Sequence, residues 1–439
     1  MFYLNRGTVL SVELLQKMLN RFYLTVKPRL QRYKNYYDGK QDILNKRYKD
    51  ESKPCNRTVI NHTKNIVDSY VGYMATPSYI SYSSKNDIED IMDILRYNDY
   101  QSEDADFLMN ALIYGTAAEL MYIDSTGHTR FKQIDATQCF AVYDDSLSGD
   151  LLYFVRMYPV NEWDDTDNYN VDVYSDYDIK HYTMNGENGY LHFIAAEPHY
   201  FSQCPANVFN LPDEKSIFDC ILTLQDAYND LTSSEIDDFT AFVDAFLALI
   251  GVDAEADDIA AMKENRVLLL PEGAAAQWLT KNANDTQIEN ILKRLEDNIY
   301  KISACIDFNS EKFVGGVSSG EALKMRLMGM ETRAGKIEAK MKKALQRRVE
   351  IICGIATLKY GEEVFRDINI DFKRNVPKEY TSLVALITAL KGTVSDRTLL
   401  GMLPFVDDVE AELVAVQEQK KANMNLYSFG QKILYEEEE

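Results

Sequence analysis

Five histidines (His62, His128, His181, His192 and His199), six cysteines and a large excess of carboxylates are the groups in this chain with chemical potential. His181, His192 and His199 with Cys204 are the nearest thing to a metal set. Their spacings fit no zinc pattern, and strand alternation puts some of them on strand faces, so no metal is expected. A nucleotide-hydrolysing site needs the phosphate cradle G-x-x-x-x-G-K-[ST]; Gly335-Lys336-Ile337 and Gly392-Thr393-Val394-Ser395 both fail it. There is neither a G-x-S-x-G elbow nor an H-E-x-x-H helix. Carboxylates are so common here that pairs of them point nowhere. The expectation is a chain without catalytic residues or cofactor.

The most distinctive stretch is instead a loop between two helices. A helix over 286–306 leads into Asp307-Phe308-Asn309-Ser310-Glu311-Lys312-Phe313-Val314-Gly315-Gly316-Val317. A second helix opens at Ser318-Ser319-Gly320-Glu321, where Ser318 and Glu321 have capping-box spacing, and no strong stop follows before Gly361. At 1.5 Å per residue that second helix would be a rod about 60 Å long. The loop reads either as a plain helix connector or as a finger whose Lys312 and Asn309 meet a phosphate backbone. The rod carries nine basic residues between Lys324 and Arg348, either a solvated face or the rim of a nucleic-acid path.

Around this stretch the elements change character along the chain. Residues 9–37 have helical spacing interrupted or kinked at Pro28, and 60–74, 86–95 and 102–114 give three more helices. From Ala117 to Leu211 short alternating runs separated by turn residues indicate antiparallel strands. A helix of about 50 Å is expected from Asp213 to Gly251. A hairpin from Arg266–Leu270 through Pro271-Glu272-Gly273 to Ala275–Leu279 comes next. After the rod come a strand at 367–372 and helices over 380–390, 395–403 and 407–424, then an acidic tail ending Tyr435-Glu436-Glu437-Glu438-Glu439. The fold class is α+β, mainly helical.

With 439 residues, 46% apolar and 26% charged, the chain can bury a large core. Its net charge of −22 argues against tight duplex binding through a broad basic face. The basic excess of 27–64, interleaved with tyrosines, reads as a solvated or subunit-contacting face more readily than a nucleic-acid one; Lys46, Arg47 and Lys49 are candidates for a subunit interface. Scattered cysteines without C-x-x-C fit free thiols in a reducing compartment. The start lacks the pattern of a signal peptide, and no apolar run reaches the 18 or so residues of a membrane span. No membrane role is expected.

Several segments in order resemble the portal proteins of tailed bacteriophages, in the siphophage family of Gram-positive hosts. They include Tyr33-Lys34-Asn35-Tyr36-Tyr37-Asp38-Gly39-Lys40, Ile66-Val67-Asp68-Ser69-Tyr70-Val71-Gly72-Tyr73 and Asp226-Ala227-Tyr228-Asn229. Further on come Ser319-Gly320-Glu321-Ala322-Leu323-Lys324, Asn375-Val376-Pro377 and Leu403-Pro404-Phe405-Val406-Asp407-Asp408. The resemblance implies a ring of usually twelve copies at one capsid vertex, through which double-stranded DNA is packaged and ejected. It also implies partners: the terminase large subunit, head-completion or neck proteins, scaffold and major capsid protein. Localisation would be the virion, after assembly in the host cytoplasm.

Mapped onto this sequence, the resemblance implies a wing over 1–212, stem helices over 213–251 and 286–306 and a clip over 252–285. A tunnel loop over 307–317 would put Asn309, Ser310, Lys312, Phe313, Val314, Gly315 and Gly316 at the DNA. A long wing helix with return strand would cover 318–379, a crown 380–424 and a tail 425–439. A packaging enzyme such as a nuclease, and a helical adaptor without a channel, are the alternatives.

Overall fold

The structure is a computed structural model. It describes residues 2–47, 54–75, 80–161, 163, 168–185, 189–242, 246–250, 275–279, 285–307, 320–355, 367–375, 386–403, 406, 409 and 412–420. The chain divides into two units: 1–316 with 324–375, and 317–323 with 376–439. The chain contains both helices and strands, an α+β chain.

The first unit begins with strand β1 (Phe2–Leu4) and helix α1 (Val12–Arg21), whose Ser11 hydroxyl accepts from the Leu14 amide and caps the first turn. A π-turn over Phe22–Val26 links α1 directly to α2 (Lys27–Tyr37). Pro28 does not end the run: it falls in the first turn of α2, directly after the π-turn. Helices α3 (His62–Met74), α4 (Glu89–Tyr97) and α5 (Tyr100–Tyr114) follow, with strand β2 (Ile80–Ser83) between α3 and α4. Tyr70 of α3 and Phe107, Leu108, Ala111 and Leu112 of α5 are fully buried and form the centre of the helical core. Gly115 ends α5 at φ +82°, and a Cβ there would come within 2.6 Å of the 214–215 backbone. Only glycine satisfies both constraints.

Strands β3 (Thr116–Ile123), β4 (Thr129–Ile134) and β5 (Cys139–Asp144) are followed by β6 (Leu151–Pro159), β7 (Tyr169–Tyr174), β8 (Asp178–Met184), β9 (Leu191–Pro198) and β10 (Ala206–Asn210). They form two sheets. One is six-stranded, in the order β1-β5-β6-β7-β8-β9, with β1 parallel to β5 and the other neighbours antiparallel. The other has the order β10-β3-β4. Alternation found most of these strands; β1, β2 and β10 are too short or too mixed in pattern to stand out, and only their partners define them.

Two expectations about long helices are corrected. The helix placed over 213–251 is α6, Leu222–Phe242, and Phe246–Ile250 is strand β11, paired with Ala275–Leu279 (β12). Five consecutive apolar residues satisfy a helical stripe and a strand equally, and the partner strand decides. The partner expected for Ala275–Leu279 was 266–270, which lies outside the described residues. Helix α7 spans Asp285–Ser303 and helix α8 spans Gly320–Cys353. The rod thus stops at Gly354 rather than running on to 360. A Cβ at Gly354 would sit 2.4 Å from the Ser202 hydroxyl, so the stop is a close packing site. Strand β13 (Asn369–Phe372) then pairs antiparallel with β2.

In the second unit the described elements are short and helical. Helix α9 (Asp396–Gly401) is capped by Ser395, whose hydroxyl accepts from the Thr398 amide at 3.4 Å. Residues 386–390 and 412–420 are also helical.

Candidate functional site

The loop residues singled out from the sequence, Asn309, Ser310, Lys312, Phe313, Val314, Gly315 and Gly316, lie outside the described residues, as do Lys49 and the capping serine Ser318. What the structure gives is the frame on the approach to that loop. Helix α7 ends at Ser303, and Ala304 turns the chain with φ +52°. The carbonyls at a helix end have no partner within the helix. Here Arg333 of α8 supplies one: its Nη1 donates to the Ser303 carbonyl at 2.7 Å and its Nη2 to the Ile217 carbonyl at 2.8 Å. The Tyr70 hydroxyl is within 3.2 Å of the Ser303 carbonyl and 3.1 Å of the Ala304 carbonyl. A cation at a helix C-terminus is worth about 0.3–1 kcal/mol through the dipole. One guanidinium therefore ties α8, the end of α7 and the chain ahead of α6 together. Cys305, next in line, is buried, and burial pushes its thiol up to about 11, so it is not a reactive thiolate.

Helix α8 is fixed further along by two arginines that the sequence did not distinguish from its solvated lysines. Arg348 is fully buried. Its Nε and Nη2 donate to the two oxygens of Glu119, each at 2.8 Å, and its Nη1 donates to Asp104. Asp104 also accepts from the Tyr82 hydroxyl at 2.9 Å, and Asn207 donates to Glu119 at 2.7 Å and to the Ala344 carbonyl at 2.9 Å. Phe131 stacks 4.5 Å from the guanidinium. Burial works against the Arg348 cation, but Asp104 and Glu119 outweigh it and hold its pKa well above the ordinary value. For Asp104 burial prevails over the pull of Arg348 and the carboxyl is raised. The signal was available: Arg348 falls on the same face as Met341, Leu345 and Ile352, all buried.

The second clamp is Arg374, just past β13. Its Nε donates to Glu331 at 2.9 Å and its Nη2 to Glu338 at 2.6 Å; the Tyr73 hydroxyl also donates to Glu331. Burial raises the Glu331 carboxyl, yet the hydrogen bonds from Arg374 and Tyr73 win and hold it below its usual range.

Helix α6 is held by a different device, a polar ladder along one face. Tyr33 donates to Asp219 at 2.6 Å, just ahead of the helix, and Tyr36 to Asp226 at 2.5 Å. Asn229 donates to Gln41 at 2.5 Å and accepts from the Ile60 amide at 3.1 Å; the Thr58 amide donates to Ser233 at 3.0 Å. The Asn56 amide donates to Asp237 at 2.6 Å. Gln225, Asn229 and Ser233 are fully buried while Phe239 is 73% exposed. Apolar periodicity does not reveal this face, because amides count as polar whether or not they have a buried partner.

Of the basic cluster, Lys46 reaches across to α6, with Nζ 2.7 Å from Asp230 and 3.3 Å from the Ser234 hydroxyl. Arg47 is exposed. The histidines do not converge. His181 Nδ1 lies 2.7 Å from Asp172, His199 Nε2 is 3.1 Å from the Ser175 carbonyl, and Cys204 is buried against Tyr174. Among the described residues no group of three or more His, Cys, Asp or Glu side chains is arranged to hold a metal ion, and no helix is long and apolar enough to cross a membrane.

What the geometry defines is a framework of long helices locked by buried polar contacts. A family model described as "Phage portal protein, SPP1 Gp6-like" matches residues 19–426, and the chain belongs to that family. It is 23% identical over 447 aligned positions to the portal protein of Bacillus phage SPP1, covering 95% of this chain and 85% of that protein.

Proposed function

We propose that this chain assembles into the ring-shaped channel at one capsid vertex through which double-stranded DNA is packaged and later ejected. The observation that carries the reading is the family match over 19–426. The anchoring of the end of α7 by Arg333 and Tyr70 is in keeping with it, because a loop facing moving DNA needs a rigid base. In this reading α6 and α7 are the stem helices, 252–285 the clip, 307–317 the tunnel loop, α8 with β13 the support behind it, and 380–424 the crown. The residues meeting DNA would be Asn309, Ser310, Lys312, Phe313, Val314, Gly315 and Gly316. The terminase large subunit docks on the ring during packaging and neck proteins replace it. Scaffold and major capsid protein surround it.

Negative-stain images of the purified chain test this directly: end-on rings with a central hole are expected, and compact particles without a hole would overturn it. Lys312→Ala separates two roles of the loop. Reduced packaging or DNA retention points to contact with phosphate, and unchanged packaging to a steric role. Arg47, exposed at the basic N-terminal region, is the better probe of a subunit contact there than Lys46, whose reversal would also break its ion pair with Asp230.

A further inference from the structure

Helix α8 has two electrically different faces. Glu331 and Glu338 point one way and are engaged by Arg374. Lys336, Lys340, Lys343 and Arg347 follow one another at intervals of four, three and four residues, which puts them in one line on the opposite face, about 16 Å long. Among the described residues none of these four has a carboxylate within ion-pair distance, although Lys342, one position away from the line, pairs with Glu338 at 3.1 Å. Lys340, Lys343 and Arg347 line a cleft of about 670 Å³ between α8 and the turn joining β5 to β6. The carboxylates on that cleft are Asp150, already facing Arg6 at 3.6 Å, and Glu350.

A line of unmatched cations in a chain of net charge −22 is a local surplus of one sign. The opposite surplus lies on the paired helices α6 and α7. Glu235 of α6 and Glu296 of α7 both act on the phenol of Tyr228, and among the described residues neither has a cation within ion-pair distance. Burial, then the charges of Asp307 and Asp297, raise the pKa of Glu296, opposed by Lys293. Carboxylates that disfavour one another's ionisation gain when an external cation approaches.

We propose that the Lys336–Lys340–Lys343–Arg347 face of α8 in one copy docks against the carboxylates of Glu235 and Glu296 in the next. The contact is heterologous, basic face to acidic face, which is the kind that closes a ring. It rests on the ring reading above. Charge complementarity selects a second copy as the occupant. A side-chain carboxylate enters a cleft of this size, whereas a duplex does not.

The test uses the full chain, with assembly followed by light scattering on a sizing column and by negative stain. Lys340→Glu, Lys343→Glu and Arg347→Glu together should reduce the assembled fraction about tenfold or more at ~0.15 M salt. Glu235→Lys with Glu296→Lys should do the same, and the two sets combined should restore assembly. Lys340→Gln, Lys343→Gln and Arg347→Gln is the milder set, used if the reversed one melts earlier than the parent; it should weaken assembly and flatten its salt dependence. Wild-type rings together with a basic-face variant that assembles normally would overturn this contact alone. So would a variant that assembles but no longer retards DNA, which would make the face a DNA contact. Combined variants that stay apart would overturn the pairing with α6 and α7. A wild-type chain that never assembles would overturn both this contact and the ring.

Discussion

Helices α6 and α8 are the two long beams of the first unit, and they are held by opposite means. Along α6 the fixed face is a ladder of amides, hydroxyls and aspartates, each meeting a nearby group of residues 33–60. Along α8, beside its buried apolar face, the polar fixing points are few and built on arginines: Arg333 to two carbonyls, Arg348 to Asp104 and Glu119, and Arg374 to Glu331 and Glu338. A ladder distributes its stability over many modest contacts. A buried ion pair concentrates it, since removing one partner strands the other charge in a medium that cannot solvate it. A single substitution on α8 should therefore do more damage than one on α6.

Arg348→Met sharpens that contrast most. It leaves Asp104 and Glu119 buried without a cation and should cost about 3–5 kcal/mol in chemical denaturation of the full chain. A loss no larger than that of an α6 variant would remove the distinction between the beams. Asn229→Ala comes next. It strips partners from Gln41 and the Ile60 amide, and about 1–3 kcal/mol should be lost in the same assay. Arg333→Lys keeps the charge, but one ammonium replaces a fork that spans two carbonyls. A loss of about 1 kcal/mol is expected, with faster amide exchange confined to residues around 303–307; uniform exchange would deny the anchor its local role.

The smallest effects concern pH and have opposite signs. His62 packs edge-on to Tyr228 of α6 and Tyr300 of α7, and burial lowers its pKa below 6.5 despite Asp307. Its contribution is complete above pH 6.5 and is lost as pH falls through the folded pKa. His181 is different: partial burial lowers its pKa, but Asp172 and then Glu197 outweigh that and raise it above 6.5. Its contribution is complete below pH 6.5 and is lost as pH rises through the folded pKa. Melting curves from pH 5 to 8, roughly the range in which histidine titrates, should therefore show His62→Phe flattening the acid side and His181→Gln the neutral side. The same flattening from both would sink the assignment.

Much of the architecture was legible from periodicity. The helices around Leu15, Tyr70, Phe107 and Ile299 and most of the strands between 116 and 198 follow their apolar spacing. The boundary errors fall at 246–250, where five apolar residues suit either structure, and at Gly354, whose role depends on Ser202 more than a hundred residues earlier. Among site residues, Arg348 was counted with the solvated bases. Charge alone says outside, and only its place among Met341, Leu345 and Ile352 says inside. The amide face of α6 gave no signal at all, because an asparagine that bonds water and one that bonds Gln41 are the same letter.

The sequence by itself determined the class of chain. It has long amphipathic helices, a strand-rich segment, none of the nucleotide, hydrolase or zinc motifs sought in it, and ordered segments shared with portal proteins, because local spacing and composition fix these without reference to distant residues. Only the tertiary structure decided which distant groups surround the interior polar side chains. The environment of Arg348 is assembled from residues 82, 104, 119 and 207, and that of Asn229 from residues 41, 60 and 225. Desolvation is a property of the packed site, so a charge or an amide acquires its energetic weight only when distant segments close around it.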